Sequence, residues 1–285
     1  MMFKNSLHHK SPLGLAILSL ALHGSVWQSQ AQITLHDQNS TAQIDPHSQA
    51  GMFHWDIQGQ NELVQQWFWY RIGPAGPERS LDTISPAAVS PFLGSRGVAI
   101  TYTGPQFSIE TDYTLTGGAP APPGQIGQAD MGESIRINNL TGTTLDFHFF
   151  QYSDFDLAGP GNDTVTLGTD SSGRFNSASQ SDGVSTLTES VSVAAPSADH
   201  GEAAFFNATL VKLNNGGPDV LNDNPSAGPG DVTWALEWDL LIAPGNSALI
   251  SKDKHLQVQI VPEPSSFALI GLAFLAGRFC SRRRK

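Results

Sequence analysis

The chain has 285 residues, a formal net charge of −11 at pH 7, only 14% charged residues and a single cysteine. Seven of its 15 basic residues and one of its 26 acidic residues lie in the two terminal segments, so residues 32–260 hold eight against 25 and carry −17. That balance repels nucleic acid and anionic lipid. The one cysteine, Cys280 near the end, excludes a disulfide framework and a cysteine-rich zinc site.

The chain opens with Lys4 and Lys10, an apolar stretch over 13–26, and Ser29-Gln30-Ala31. Positive, apolar and small residues in that order make residues 1–31 a signal peptide, with cleavage expected after Ala31. Residues 32–260 then read as many short strands separated by Gly, Pro, Asn and Asp turns. Strands are expected over 33–36, 52–57, 63–72, 98–102, 107–115, 134–138 and 144–152. Five more are expected over 164–167, 184–193, 232–242, 247–251 and 256–260. β-Branched and aromatic residues at this spacing predict an all-β exported domain, an antiparallel β-sandwich or jelly-roll. A Gly/Pro-rich loop is expected from Leu115 to Gly132, and a short helix over 202–214.

Two strands hold most of the aromatic mass. From Val232 to Leu240 the alternation places Trp234 and Trp238 on a core face and Glu237 and Asp239 on a wet face. Gln65 to Arg71 is apolar on both faces. Its bland reading is a strand covered on both sides in the middle of the sandwich. The sharper one exposes Trp67 and Trp69 as a sugar-stacking platform, with Gln65 and Arg71 donating hydrogen bonds.

Oxygen donors cluster on two turns. Asp154, Asp156, Asn162 and Asp163 flank Gly159-Pro160-Gly161, as a hard cation prefers, and Asp219, Asp223 and Asp231 form a second acidic loop. An EF-hand starting at Asp154 fails, because its fifth and twelfth positions are Ala158 and Val165. Calcium is thus the one ion the turns would suit, although acidic turns on so negative a domain are usually just solvated; no cofactor is otherwise expected. Glu237-Trp-Asp239 resembles the opening of the jelly-roll glucanase motif but lacks the second catalytic glutamate. No G-x-S-x-G or H-E-x-x-H occurs, and His148 reads as a satisfied sheet histidine. No catalytic constellation emerges, so a non-enzymatic role is expected.

The last 25 residues decide the destination. Val261-Pro262-Glu263-Pro264 is extended and stiff, because proline fixes φ and lacks an N–H. An apolar run follows over 267–277, then the basic cluster Arg282, Arg283, Arg284 and Lys285. Eleven residues at about 1.5 Å each fall short of the roughly 20 that span a bilayer, so this is a short transmembrane helix, and the basic end stays cytoplasmic. The arrangement resembles the PEP-CTERM sorting signal of Gram-negative bacteria. The resemblance implies processing by a membrane-embedded exosortase during export to the cell surface or extracellular matrix. Trp55, the run Gln65–Gly73, Tyr152–Leu157, Gly230–Asp239 and Ser251–Lys254 are also similar to a group of exported proteins bearing this signal, a likeness that implies no activity. The expected role is a structural or adhesive component associated with exopolysaccharide. A carbohydrate-binding module and, more distantly, a secreted hydrolase are the alternatives.

Overall fold

The structure, a computed structural model, describes residues 32–261. Strands β1 (Ile33–Asp37), β2 (Ser40–Asp45), β3 (Gly51–Ile57), β4 (Gln60–Asn61), β5 (Leu63–Ile72) and β6 (Arg79–Ser80) belong to one sheet. β7 (Ala88–Phe92), β8 (Gly97–Thr103), β9 (Phe107–Gly117) and β10 (Ile126–Asn139) begin a second. The chain returns to the first sheet for β11 (Leu145–Phe155). It crosses again for β12 (Asp163–Thr169), β13 (Phe175–Ser181) and β14 (Thr186–Val191), and comes back for β15 (His200–Phe205). After a short helix, α1 (Ala208–Lys212), come β16 (Ser226–Gly230), β17 (Val232–Ile242) and β18 (Ser247–Gln259).

The first sheet has the order β1-β2-β3-β5-β11-β17-β15, with β4 beside β3 and β6 beside β5; the second runs β16-β12-β13-β14-β18-β10-β9-β8-β7. Both are antiparallel apart from a brief parallel contact of β3 with β5 at Gln66. The fold is therefore the all-β sandwich that the strand spacing predicts. Aromatic rings pack within and between the layers: in the first sheet Phe68 stacks on Phe149 at 5.3 Å and Tyr70 on Phe147 at 5.8 Å, and Phe107 of the second sheet meets Phe147 at 5.0 Å. Such pairs add to the burial of their area. Trp234 and Trp238 are both fully buried, as the alternation requires.

Three expectations change. The loop after Leu115 is shorter than 115–132, because β10 already begins at Ile126. Gly127, which had read as loop, lies in that strand where an added Cβ would stand 2.8 Å from Ile57. The helix expected over 202–214 shrinks to α1, since Glu202 is inside β15 and holds α1 from there, accepting from Thr209 Oγ1 at 2.6 Å and from Lys212. The strands expected over 247–251 and 256–260 are one strand, β18.

The charges that seemed to interrupt β18 are its buried centre. Lys252 stands across from Glu133 of β10, and Lys254 across from Glu189 of β14. All four side chains are at most 1% exposed. Lys254 Nζ lies 2.7 Å from Glu133 and 2.6 Å from Glu189; Lys252 pairs with Glu133 and sits 5.3 Å above the Phe68 ring. Gln151 of the opposite sheet donates to Glu189 at 3.0 Å. Burial alone would raise the Glu133 carboxyl, but Lys252 and Lys254 outweigh it and hold it below its ordinary value.

Candidate functional site

Strands β5, β11, β17 and β15 lie side by side, and their register lines up polar side chains. Arg71 is opposite His148, which is opposite Asp239; Glu237 is opposite His200. Arg71 is clamped by Glu78 at 2.9 Å, by the Gly73 carbonyl at 2.7 Å and by the Asp219 carbonyl at 3.2 Å. The Nη2 that donates to Asp219 also lies 4.0 Å from Glu237 Oε1. His148 Nδ1 bonds to Asp239 and is 3.9 Å from the same oxygen. His200 bonds Asp223 at 3.1 Å.

Glu237 is the centre of this network. The segment after α1 lies over it, and its Oε2 accepts the Leu221 N–H at 2.9 Å, while Oε1 has no hydrogen-bond partner. The side chain is fully buried, which corrects the expectation of a wet face: Asp239 is on the surface, Glu237 is not. Burial pushes its carboxyl up to about 7; the Leu221 amide opposes the shift and Asp239 adds to it. For His200, burial works downward and Asp223 outweighs it, so its imidazolium is favoured. A carboxyl poised near neutrality between a guanidinium and an imidazole can hold or release a proton. Nothing in residues 232–240 signalled this, because the cover comes from elsewhere in the chain.

Arg71 also backs onto an open cleft of about 350 Å³ at the end of β5, lined by Tyr70, Arg71, Pro77, Arg79, Gln106 and Phe107. Its floor is the Tyr70–Phe107 contact, 5.0 Å between ring centroids, with Phe147 beneath both. Arg79 stands exposed at the mouth. An aromatic floor with a few donors at the rim suits a small polar ligand, and the volume is at the lower end of the usual range for such sites.

The acidic turns are rearranged relative to expectation. Asp154 and Asp156 meet Asp231 of the other loop, with ligand oxygens all within 4.8 Å of one another. Asp163 instead turns inward to the Leu157 N–H at 3.0 Å and Gln180 at 2.7 Å, and Asn162 donates to the Asp182 carbonyl. Asp219 and Asp223 belong to the Arg71 and His200 network. Burial pushes Asp154 up to about 7, with Asp156 and Asp231 adding to the shift. Glu62 behind it also rises to about 7, again mainly through burial.

Trp67 and Trp69 do not form a stacking platform. Both are fully buried; the Trp67 indole donates to Ser80 at 2.9 Å and packs edge-on against Tyr102, and Trp69 packs edge-on against Tyr152. The bland reading of that strand is the one realised, because β6 and the 3₁₀ turn Leu81–Thr83 lie against it. Val261 is exposed, and its N–H reaches Gln60 Oε1 at 3.0 Å. Pro262, Glu263, Pro264, the expected short transmembrane helix, Arg282, Arg283, Arg284, Lys285 and the expected signal peptide 1–31 lie outside the described residues. Among the described residues no helix is long and apolar enough to cross a membrane.

The fold defines a class. A bacterial glucoamylase complexed with acarbose superposes with a TM-score of 0.56 at 12% identity, over 86% of this chain and 34% of its own. The chain thus spans about a third of that enzyme's length. A galactose mutarotase related enzyme from Lactobacillus acidophilus gives 0.53 at 8% identity, over 81% of this chain and 98% of its own. A putative aldose 1-epimerase from Escherichia coli K12 gives 0.51 at 9%, over 81% and 99%. At these identities the likeness is one of fold alone, a β-sandwich of two antiparallel sheets. No curated protein matches the sequence. Residues 261–285 match the PEP-CTERM protein-sorting motif. The chain is an exported protein carrying that signal, of the kind an exosortase processes.

Proposed function

We propose that the exported domain is a non-catalytic structural or adhesive component of the cell surface or extracellular matrix, and that it holds a neutral exopolysaccharide in the Tyr70–Phe107 cleft. The observation that carries this reading is the cleft itself: an aromatic floor, with Arg79 and Gln106 at the rim to donate hydrogen bonds to hydroxyls. The −17 charge of residues 32–260 disfavours an anionic polymer. The fold shared with a chain crystallised with acarbose is in keeping with a sugar ligand. A glycan array probed with the 32–261 domain tests it. Binding to neutral glycans that falls in both Arg79→Ala and Gln106→Ala supports the cleft. Binding indifferent to both changes, or none at all, removes it.

A second reading has its own observation. Glu237, with one free oxygen between Arg71 and His148 and a carboxyl near neutrality, would serve as an acid–base group for sugar chemistry if the segment covering it opened. A turnover screen covering glycoside hydrolysis and anomeric interconversion, repeated on Glu237→Gln, decides it. Activity abolished by that isosteric change would make the domain an enzyme.

A further inference from the structure

We propose that Asp154, Asp156, Asp231 and Thr233 form a binding site for a hard divalent cation, calcium by preference, that joins the ends of β11 and β17. In the antiparallel register Asp154 faces Thr233 directly, and two residues beyond that last pair the same register would bring Asp156 opposite Asp231. Side chains two residues apart on a strand share a face, so two cross-strand pairs form the corners of one small square. The three carboxylates approach within 4.8 Å of one another.

The fourth corner points to the ligand. Thr233 Oγ1 is fully buried and has no hydrogen-bond partner. An orphaned buried hydroxyl is costly. The partner of Thr233 across the ladder is Asp154, and the two side chains stand on the same face. Tyr152 donates to Asp154 at 3.3 Å. Thr233 Oγ1 is therefore an unused oxygen on the face of the sheet that carries the carboxylates.

Charge balance agrees. The site faces Glu62 and Asp163 as well, and among the described residues none of these five carboxylates makes an ion pair. A set of anionic and neutral oxygens is what calcium takes in its irregular six-to-eight-fold shell, whereas magnesium demands a tighter octahedron. The ligands come from two strand ends far apart in sequence, which is why neither stretch on its own scans as a motif. Binding would fix the start of β17 to the end of β11, the strand pair that also carries Glu237 and His148.

The test uses the full chain in detergent, stripped with chelator and titrated with calcium or magnesium chloride alone. Calorimetry should find one calcium per chain at neutral pH, with magnesium weaker, and the melting temperature should rise with calcium. The rise should shrink at acid pH, where protons compete for Asp154. Asp156→Asn and Asp231→Asn should each abolish the response while raising the melting temperature of the metal-free protein, because each removes a repelling charge. A variant that merely misfolds cannot do that. Thr233→Ser should bind and Thr233→Val should bind more weakly, whereas Asp130→Asn, remote from the site, should change nothing. No calcium bound, or binding that survives Asp156→Asn and Asp231→Asn together, overturns the proposal.

Discussion

At the scale of single residues, this sandwich is unusual for the charge it keeps dry. Glu133, Glu189, Lys252 and Lys254 sum to zero, so the quartet is tolerable only while complete. Lys254→Met should cost about 3–5 kcal/mol in chemical denaturation, because two buried glutamates would share one lysine. Glu62, Asp154 and Glu237 behave in the opposite way, since burial raises all three to about 7 from ordinary values of 4.5, 3.8 and 4.5. The folded chain then retains protons that the unfolded chain has already lost between about pH 4 and 7. Their contribution is fully present below the unfolded values and is lost as pH rises through 7. In chelator, the melting temperature should therefore be higher near about pH 5.5 than near about pH 8. A flat or inverted profile would mean these carboxyls are hydrated. The same burial changes what substitutions cost: Trp234→Ala should lose about 3–5 kcal/mol. Glu237→Ala is no surface change, since it strands the Leu221 N–H, at about 1–3 kcal/mol.

At the scale of elements, glycine marks where strands approach too closely for a side chain. Gly51, at the start of β3, has φ +57°, and a Cβ there would stand 2.3 Å from the Trp67 ring and 2.5 Å from the Gln66 carbonyl. Gly51→Ala should cost more than about 1 kcal/mol, through both the backbone conformation and the displaced indole. Gly59→Ala, also at positive φ but with open space around it, should cost less; equal losses would assign the whole effect to φ. Most strands were legible because alternation or aromatic content announced them, as in β9, β11 and β17. The strands that escaped, such as β13 (FNSASQS) and β16 (SAGPG), are polar or glycine-rich and are held by neighbours rather than by their own pattern. β18 looked divided because a buried lysine reads as exposed until its partners on β10 and β14 are known. Of the candidate site, Arg71, His148, Asp154 and Asp156 were visible as residue types. Their grouping was not, because the Arg71–His148–Asp239 row and the Asp154–Thr233 pair depend on register between strands distant in sequence.

At the scale of the whole molecule, the last strand is locked into the described sandwich just ahead of the sorting signal. β18 is an interior strand of its sheet, paired to β10 along thirteen residues and to β14 on the other side. Beyond it, the Ile260 N–H donates to Gln125 and its carbonyl accepts from Gly124, at 2.9 and 2.7 Å. The exposed Val261 is the last described residue, held by Gln60. The pairing of β18 is thus complete within the described residues, and sorting is expected to be separable from folding. In the native host, Glu263→Ala leaves the hydrophobicity and the basic end of the tail in place. Targeting to the membrane should persist while processing fails, and the melting temperature of the exported domain should not move. Removing Arg282 to Lys285 should act differently, since cytoplasmic arginines and lysines set orientation; unprocessed chains should then slip outward. Cell fractionation with intact-mass analysis of a tagged chain distinguishes the outcomes. If the Glu263→Ala chain is trimmed and delivered like the parent, residues 261–285 act as a plain anchor rather than as a signal that an enzyme reads. If its domain loses stability, the sandwich does not end at Val261.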